Sequence, residues 1–264
     1  MLARNVISVA CRIPALSHVV QMTPITEPRQ RRKGNTVSEP TYPADAGANL
    51  YLLTVLGKPN AAAPAKAQQL HNSTAGNPGG VAAAKSLGDL SHNVFLPASD
   101  GDDRLLFLDT WNSPTGFGQF FSDEQVQQGG AALFADREAV LWMPAAGFGG
   151  YSLPVPSGRS VGAIGIMRAP VRSFDAAAPA FAADSAAKIN ASRQFGLVAH
   201  QQWVPVPMPG STPTTEVLAI DFWLDEKQMN EWYASASYDD FGPAFAGPPV
   251  TSTWTPAGKD WIEW

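Results

Sequence analysis

Asp109 and Asp221 are each followed two places later by a tryptophan, Trp111 and Trp223. Residues i and i+2 of a strand share a face, so each pair would set a carboxylate, able to hold or abstract a proton, beside an aromatic wall. The structural alternative is a core indole and a strand-end carboxylate bonded to backbone. His92 and His200 fall in strand-like stretches, whereas His18 lies near the start of the chain and His71 at a helix end. An imidazole with an ordinary pKa of about 6.5 suits proton transfer near neutrality. The candidate catalytic residues are therefore His200, Asp221 and His92. Trp223, Trp111, Asp109, Gln202, Trp232 and Tyr233 are the candidate substrate contacts. A lone strand histidine is also commonly a satisfied core group, and both readings stand on the sequence.

The elements that must position these residues occur twice. Arg104–Trp111 (RLLFLDTW) meets Glu216–Trp223 (EVLAIDFW) at a constant offset of 112. The same offset pairs Phe120 and Phe121 with Trp232 and Tyr233, Gly130 with Gly242, Trp142 with Trp254 and Pro144 with Pro256. A register held this long marks an internal duplication. Strand-like runs with β-branched and aromatic content cover Asn49–Leu56, Leu90–Leu96, Arg104–Trp111 and Ala139–Met143 in the first copy. Ser160–Met167, Leu197–Val204, Glu216–Trp223 and Val250–Thr255 follow in the second. Helical pieces are expected at Ala61–Leu70, Ala82–Leu87 and Phe117–Leu133, the last broken near Gly129-Gly130, and at Phe174–Ile189 and Glu226–Ala236. Each copy thus reads β-α-β-β-α-β, the ferredoxin-like arrangement, with helices on one face of its sheet. The other face is apolar and needs cover. The fold class expected is α+β, two such repeats packed sheet to sheet as an intramolecular barrel. The divisions are a tail at 1–45, disordered or targeting, a first repeat at 46–147, a linker at 148–159 and a second repeat at 160–264.

Composition narrows the function. Charged residues are 16% of the 264 and the net charge is −5, which argues against a nucleic-acid partner. Cys11 is the single cysteine, so an intrachain disulfide or a cysteine metal cluster is excluded, and no histidine pair has ligand spacing. No apolar run reaches the roughly 18 residues of a membrane span. The glycine-rich stretches lack a phosphate-loop pattern, and Gly-x-Ser-x-Gly is absent. The tail has Arg4 and Arg12 and no acid before Glu27; it reads as dispensable, with a mitochondrial presequence as the alternative to a cytoplasmic protein.

The stretches GLVAHQQW…EVLAIDFWLDEKQMNEWYASASYDDF (Gly196–Phe241) and LSHNVFL…RLLFLDTWNSPTGFGQFF resemble the dimeric α+β barrel superfamily, in its antibiotic-biosynthesis-monooxygenase type. Members usually pair two chains; here one chain would supply both halves and act as a monomer or weak dimer. The resemblance implies that Trp111 and Trp223 line a pocket between sheet and helices. It implies an enzyme without a cofactor, most of all an oxygenase of a small, apolar, aromatic or polyketide-like molecule. The pocket asparagine of those oxygenases is absent, with Phe107 and Ala219 in its place, and the helices after the tryptophans lack the histidine of the haem-degrading members. A cyclase, isomerase or lyase with a histidine base is the runner-up, and a non-catalytic, stress-related ligand-binding barrel the third reading. Around His200 lie Gln201, Gln202, Trp203, Asn230, Glu231, Tyr233, Tyr238, Asp239 and Asp240; around His92 lie Asn93, Phe95, Phe120 and Phe121. That polarity assigns the reaction to the second half.

Overall fold

The structure, a computed structural model, describes residues 50–61, 64–207, 214–235 and 243–264. The tail, and Tyr238, Asp239 and Asp240, lie outside the described residues. The first half runs β1 (Tyr51–Pro59), α1 (Pro64–Ser73), α2 (Pro78–Ser86), β2 (Asp89–Pro97), β3 (Leu105–Trp111), α3 (Pro114–Ser122), α4 (Glu124–Leu133) and β4 (Phe134–Pro144). A short β5 (Tyr151–Ser152) follows. The second half is β6 (Ala163–Pro170), α5 (Phe174–Gln194), β7 (Leu197–Pro205), β8 (Glu216–Trp223), α6 (Glu226–Ser235) and β9 (Val250–Pro256). No helix among the described residues is long and apolar enough to cross a membrane.

Each half orders its strands in the same way, β4-β1-β3-β2 and β9-β6-β8-β7, and every pairing is antiparallel. The edges then join: β2 pairs with β9 through Phe95–Pro97, and β7 with β4 through Trp203–Pro205. Eight strands close into a barrel, which removes free sheet edges.

Two-residue alternation sorts the side chains. Leu52, Leu106, Leu108 and Trp142 from one half meet Ile164, Ile166, Leu218, Ile220 and Trp254 from the other in the barrel interior. Tyr51, Leu53, Val55, Phe107 and Trp111, one residue out of step, face the helices with Ala67, Ala84 and Leu133. The expected mutual cover of the two bare faces is therefore the barrel core. At one end of it Arg168 of β6 bonds Glu216 of β8 at 2.9 Å and crosses to Glu138 of β4. The interior indoles of Trp142 and Trp254 donate to Thr54 Oγ1 (2.9 Å) and Ser252 Oγ (2.8 Å).

One expected break moves. The helix after β3 divides at Asp123, not at Gly129-Gly130. The Asp123 carboxylate accepts the N–H groups of Gln125 and Val126 and so starts α4 as an N-cap. Gly130 lies inside α4 because the guanidinium of Arg137 occupies the space of a side chain there; a β-carbon would stand 1.6 Å from its nitrogen.

The stretch expected to be linker carries structure. β5 adds to the edge of β7 as Tyr151↔His200 and Ser152↔Ala199, beside the β4 contact. The segment after β9 does the same on β2. Ala145 N–H bonds Gln202 O at 2.8 Å, and Ala257 N–H bonds Val94 O at 2.9 Å. His92 and Trp264 then exchange backbone hydrogen bonds of 2.8 and 3.2 Å. Each half therefore sends an arm beyond its fourth strand onto the second strand of the other.

Candidate functional site

The second-half site begins with register. β7 and β8 set His200 opposite Asp221, on the face that carries Trp223 toward the helices. His200 Nδ1–H donates to Asp221 Oδ1 at 2.5 Å. That bond fixes the tautomer, and Nε2 is left as an acceptor. The side-chain amide of Gln202, on the same face, donates to Nε2 at 2.6 Å, marking the direction from which a substrate donor would approach. α6 supplies Tyr233, whose hydroxyl donates to Asp221 Oδ2 at 2.8 Å and accepts the indole N–H of Trp223 at 3.3 Å. Both carboxylate oxygens of Asp221 are thereby engaged. The side chains of His200 and Asp221 keep 18% and 17% exposure, so the pair is reachable.

Around this core Trp223 is fully buried and packs on Trp232 and Tyr233, with ring centroids 6.4 and 5.6 Å away. Tyr151 from β5 stands 5.8 Å from the His200 ring, its hydroxyl 3.3 Å from Ser192 Oγ on α5. Ser192 spends its own proton on Ile189 O, so Tyr151 is the donor. Burial raises the Tyr151 phenol above its ordinary value; the Ser192 bond works against this and the Asp221 charge adds to it.

The first half repeats the dyad and encloses it. His92 lies opposite Asp109 on β2 and β3, and Nδ1 meets Asp109 Oδ1 at 2.7 Å. On the other side His92 Nε2 lies 2.9 Å from Nε2 of His71, a fully buried residue of α1. His71 Nδ1 in turn lies 2.9 Å from Asn72 Oδ1. Backbone groups fix the orientation of Asn72: Oδ1 accepts the N–H of Ile262, and Nδ2 donates to Asp260 O. His71 must then carry its proton on Nδ1, which leaves its Nε2 as acceptor and makes His92 Nε2 the donor. His92 is thus held as an imidazolium against the Asp109 carboxylate.

The electrostatics agree. Burial lowers His71 to about 4, against the Asn72 bond and with the His92 charge. Burial also works against a charged His92, but the Asp109 charge and hydrogen bond, with Asp89 and Glu263, outweigh it and raise His92 above its ordinary value. Asp89 is driven up to about 7 by burial and the Asp109 charge, with His92 opposing.

The structure therefore brings together His200, Asp221, Gln202, Trp223, Trp232 and Tyr233 in one cluster. His92 and Asp109 form a separate, buried one. Trp111 is fully buried among Phe117, Phe120 and Phe121 and lies in aromatic packing. Sequence reading missed Tyr151, His71, Asn72, Asp89 and the arm ending in Trp264. The close-set Trp261 and Trp264 at the foot of an otherwise finished repeat were the available signal.

The described residues thus form an eight-stranded antiparallel barrel of two ferredoxin-like halves, with helices outside and a His–Asp dyad under each helical layer. Solved structures share it. An anthrone oxidase-like protein superposes with a TM-score of 0.57 at 13% identity, over 81% of this chain and 93% of its own. A proposed monooxygenase from Fusobacterium nucleatum gives 0.53 at 10%, over 80% and 94%. One from Lactobacillus acidophilus gives 0.52 at 7%, over 79% and 94%. The chain matches no family model and no curated protein.

Proposed function

We propose that the protein is a cofactor-independent oxygenase of a small planar aromatic carbon acid or phenol, with its active site in the second half. The observation that carries this is the His200–Asp221 dyad: a fixed tautomer whose free nitrogen, Nε2, already meets a hydrogen-bond donor. A substrate C–H or O–H replacing the Gln202 amide there would give its proton to Nε2, and Asp221 would stabilise the imidazolium formed. The resulting carbanion passes one electron to dioxygen, and the radical pair combines to a C–O bond. Proton return from His200 gives a hydroperoxide, which loses water. In sum one CH₂ and one O₂ become one C=O and one H₂O. Tyr233 holds Asp221, Trp223 holds the Tyr233 hydroxyl, and Trp232 and Tyr151 offer apolar walls. The likeness to an anthrone oxidase-like protein supports the substrate class through fold alone.

A second reading keeps the base and drops the oxygen: a cyclase, isomerase or lyase. It is favoured by Ala219, buried on β8 at the place where the resembled oxygenases carry an asparagine. We also read the two halves as a duplication that makes a monomeric barrel. Oxygen uptake on adding anthrone to the protein tests the first reading. Uptake in proportion to quinone formed supports it; conversion without uptake moves the function to proton transfer, and binding without conversion makes the barrel a carrier.

A further inference from the structure

We propose that the arm Ala257–Trp264 is a proton-operated latch, tied to α1 while one proton lies between His71 and His92 and released from it when that proton leaves. The two imidazoles meet end-on. Nε2 faces Nε2 at 2.9 Å, with ring centroids 5.2 Å apart and planes 11° apart. One proton fits such a contact; with none, two lone pairs oppose, and with two, a pair of N–H groups collides. From there the chain runs outward. His71 Nδ1–H donates to Asn72 Oδ1, the same oxygen accepts the Ile262 N–H at 3.0 Å, and Asn72 Nδ2 donates to Asp260 O at 2.9 Å. The arm is therefore tied to α1 through an amide whose orientation depends on the His71 proton.

Loss of the shared proton reverses the chain. His71 keeps its bond to His92 by moving its own proton from Nδ1 to Nε2. Nδ1 then opposes Asn72 Oδ1, acceptor against acceptor, and the amide must turn. Turning brings Nδ2 to His71 and sets Oδ1 against Asp260 O, so the bonds to Ile262 and Asp260 are lost together. The arm has a hinge for this step. Ala257 N–H stays on Val94 O at 2.9 Å, and Gly258 follows at φ 94° with open space around it, a left-handed conformation suited to glycine. The far end remains on β2 through the His92–Trp264 backbone pair and the Glu263 carboxylate on Val94 N–H. What opens is the turn at 258–262, which carries Trp261 off the His71 ring, 5.1 Å away when closed.

The surrounding charges set the direction. Asp109 on β3 accepts the His92 Nδ1–H, Asp89 on β2 faces the Trp264 indole, and Glu263 on the arm bonds β2. Lys85 on α2 lies over the Trp264 ring at 5.8 Å, while Lys259 and Asp260 on the arm are exposed. Burial works against a charged His92, and the Asp109 charge and bond, with Asp89 and Glu263, outweigh it. A group raised on folding stabilises what it holds below its unfolded value and ceases to as pH climbs through the folded one. The latch is therefore closed near neutrality and opens on the alkaline side. On the acid side a second proton enters only as pH falls through the His71 value of about 4, lowered by burial. The arm of the other half lacks this chain. Its Leu153 N–H bonds Val198 O at 2.7 Å, and its Tyr151 phenol, raised by burial, stays protonated on Ser192.

The latch belongs to the first half and stands whichever reaction the second half performs. Amide hydrogen exchange by nuclear magnetic resonance on the nitrogen-15-labelled full chain reads it, from about pH 5 to about pH 9.5, each rate divided by its unstructured reference. Protection of Ile262 should fall at least about tenfold on the alkaline side while that of Leu153 holds. The ring nitrogen signals of His71 should show its proton moving from Nδ1 to Nε2 with the same midpoint. Asp109→Asn, which removes the carboxylate beside His92, should move that midpoint down by about one pH unit or more. Asn72→Ala should leave Ile262 poorly protected at every pH. Ile262 protection that ignores pH, or a His71 tautomer that stays fixed while protection falls, would overturn the proposal. So would loss of the transition in Asp89→Asn, since Asp89 and not the imidazole pair would then be the trigger; the latch predicts that it persists at a lower midpoint. Should Asp109→Asn fail to fold, Asp89→Asn and the unaltered protein decide.

Discussion

Tyr233 stands over Gly165, its hydroxyl in the space that a side chain on β6 would take. A β-carbon at position 165 would lie 2.0 Å from that oxygen. Gly165 pairs with Asp221 on β8, so the glycine opens the gap through which Tyr233 reaches the carboxylate. In the first half Leu53 holds the place beside Asp109, and Phe121, a residue without a hydroxyl, stands 112 positions before Tyr233. The two halves share a dyad but not its support.

Gly165→Ala should therefore behave as Tyr233→Phe does, because both remove the 2.8 Å bond to Asp221. Each should lower turnover about tenfold to a hundredfold through a less well oriented His200, a loss of roughly 1–3 kcal/mol. Steady-state kinetics on the two variants check this. Full activity in Gly165→Ala would show that Tyr233 is packing alone.

Asp89 and His71 give a signed pH prediction. The folded value of Asp89, raised by burial to about 7 from 3.8, means that its stabilisation is present below 3.8 and lost as pH rises through 7. His71, lowered by burial from 6.5 to about 4, contributes above 6.5 and loses that contribution as pH falls through 4. Between these limits the two oppose each other. Asp89→Asn removes one of them, so its stability relative to the unaltered protein should rise from pH 4 to pH 8. The total should be on the order of 4 kcal/mol. Urea unfolding at several pH values reads this difference, and a flat difference would contradict the burial-driven rise of the Asp89 carboxyl.

Arg168 ties the halves from inside the barrel. Burial works against its charge, but the hydrogen bonds it donates to Glu138 and Glu216 outweigh this and raise it above its ordinary value. Arg168→Ala would leave two partly buried carboxylates together and should cost about 1–3 kcal/mol, discounted for their access to water. Arg168→Met with Glu138→Gln and Glu216→Gln should recover much of this. Urea midpoints compare them; no loss in Arg168→Ala would mean that water already carries the carboxylates.

Much of the fold was legible in the chain because strand alternation has a strict period of two and the 112-residue register repeats it. The positions of Asp109, Trp111, Asp221 and Trp223 followed from that alone. The His–Asp contacts were within reach too, since antiparallel neighbours pair by register. The helix break at Asp123 was hidden because Gly130 looks like a breaker while its task is to admit Arg137. Contacts between His71 and His92, and between Trp264 and His92, join residues far apart in sequence. No periodicity encodes them, and two-residue β5 is too short to show any.

The central claim is that His200 is the base and that His92, charged and covered, is not. Its most direct test is oxygen uptake with anthrone by His200→Ala and His92→Ala, compared at a temperature where both are fully folded. The account predicts a loss of about 10²–10⁴-fold for His200→Ala and at most about threefold for His92→Ala, within ~0.7 kcal/mol of the unaltered barrier. Equal losses, or a larger one from His92→Ala, would contradict it.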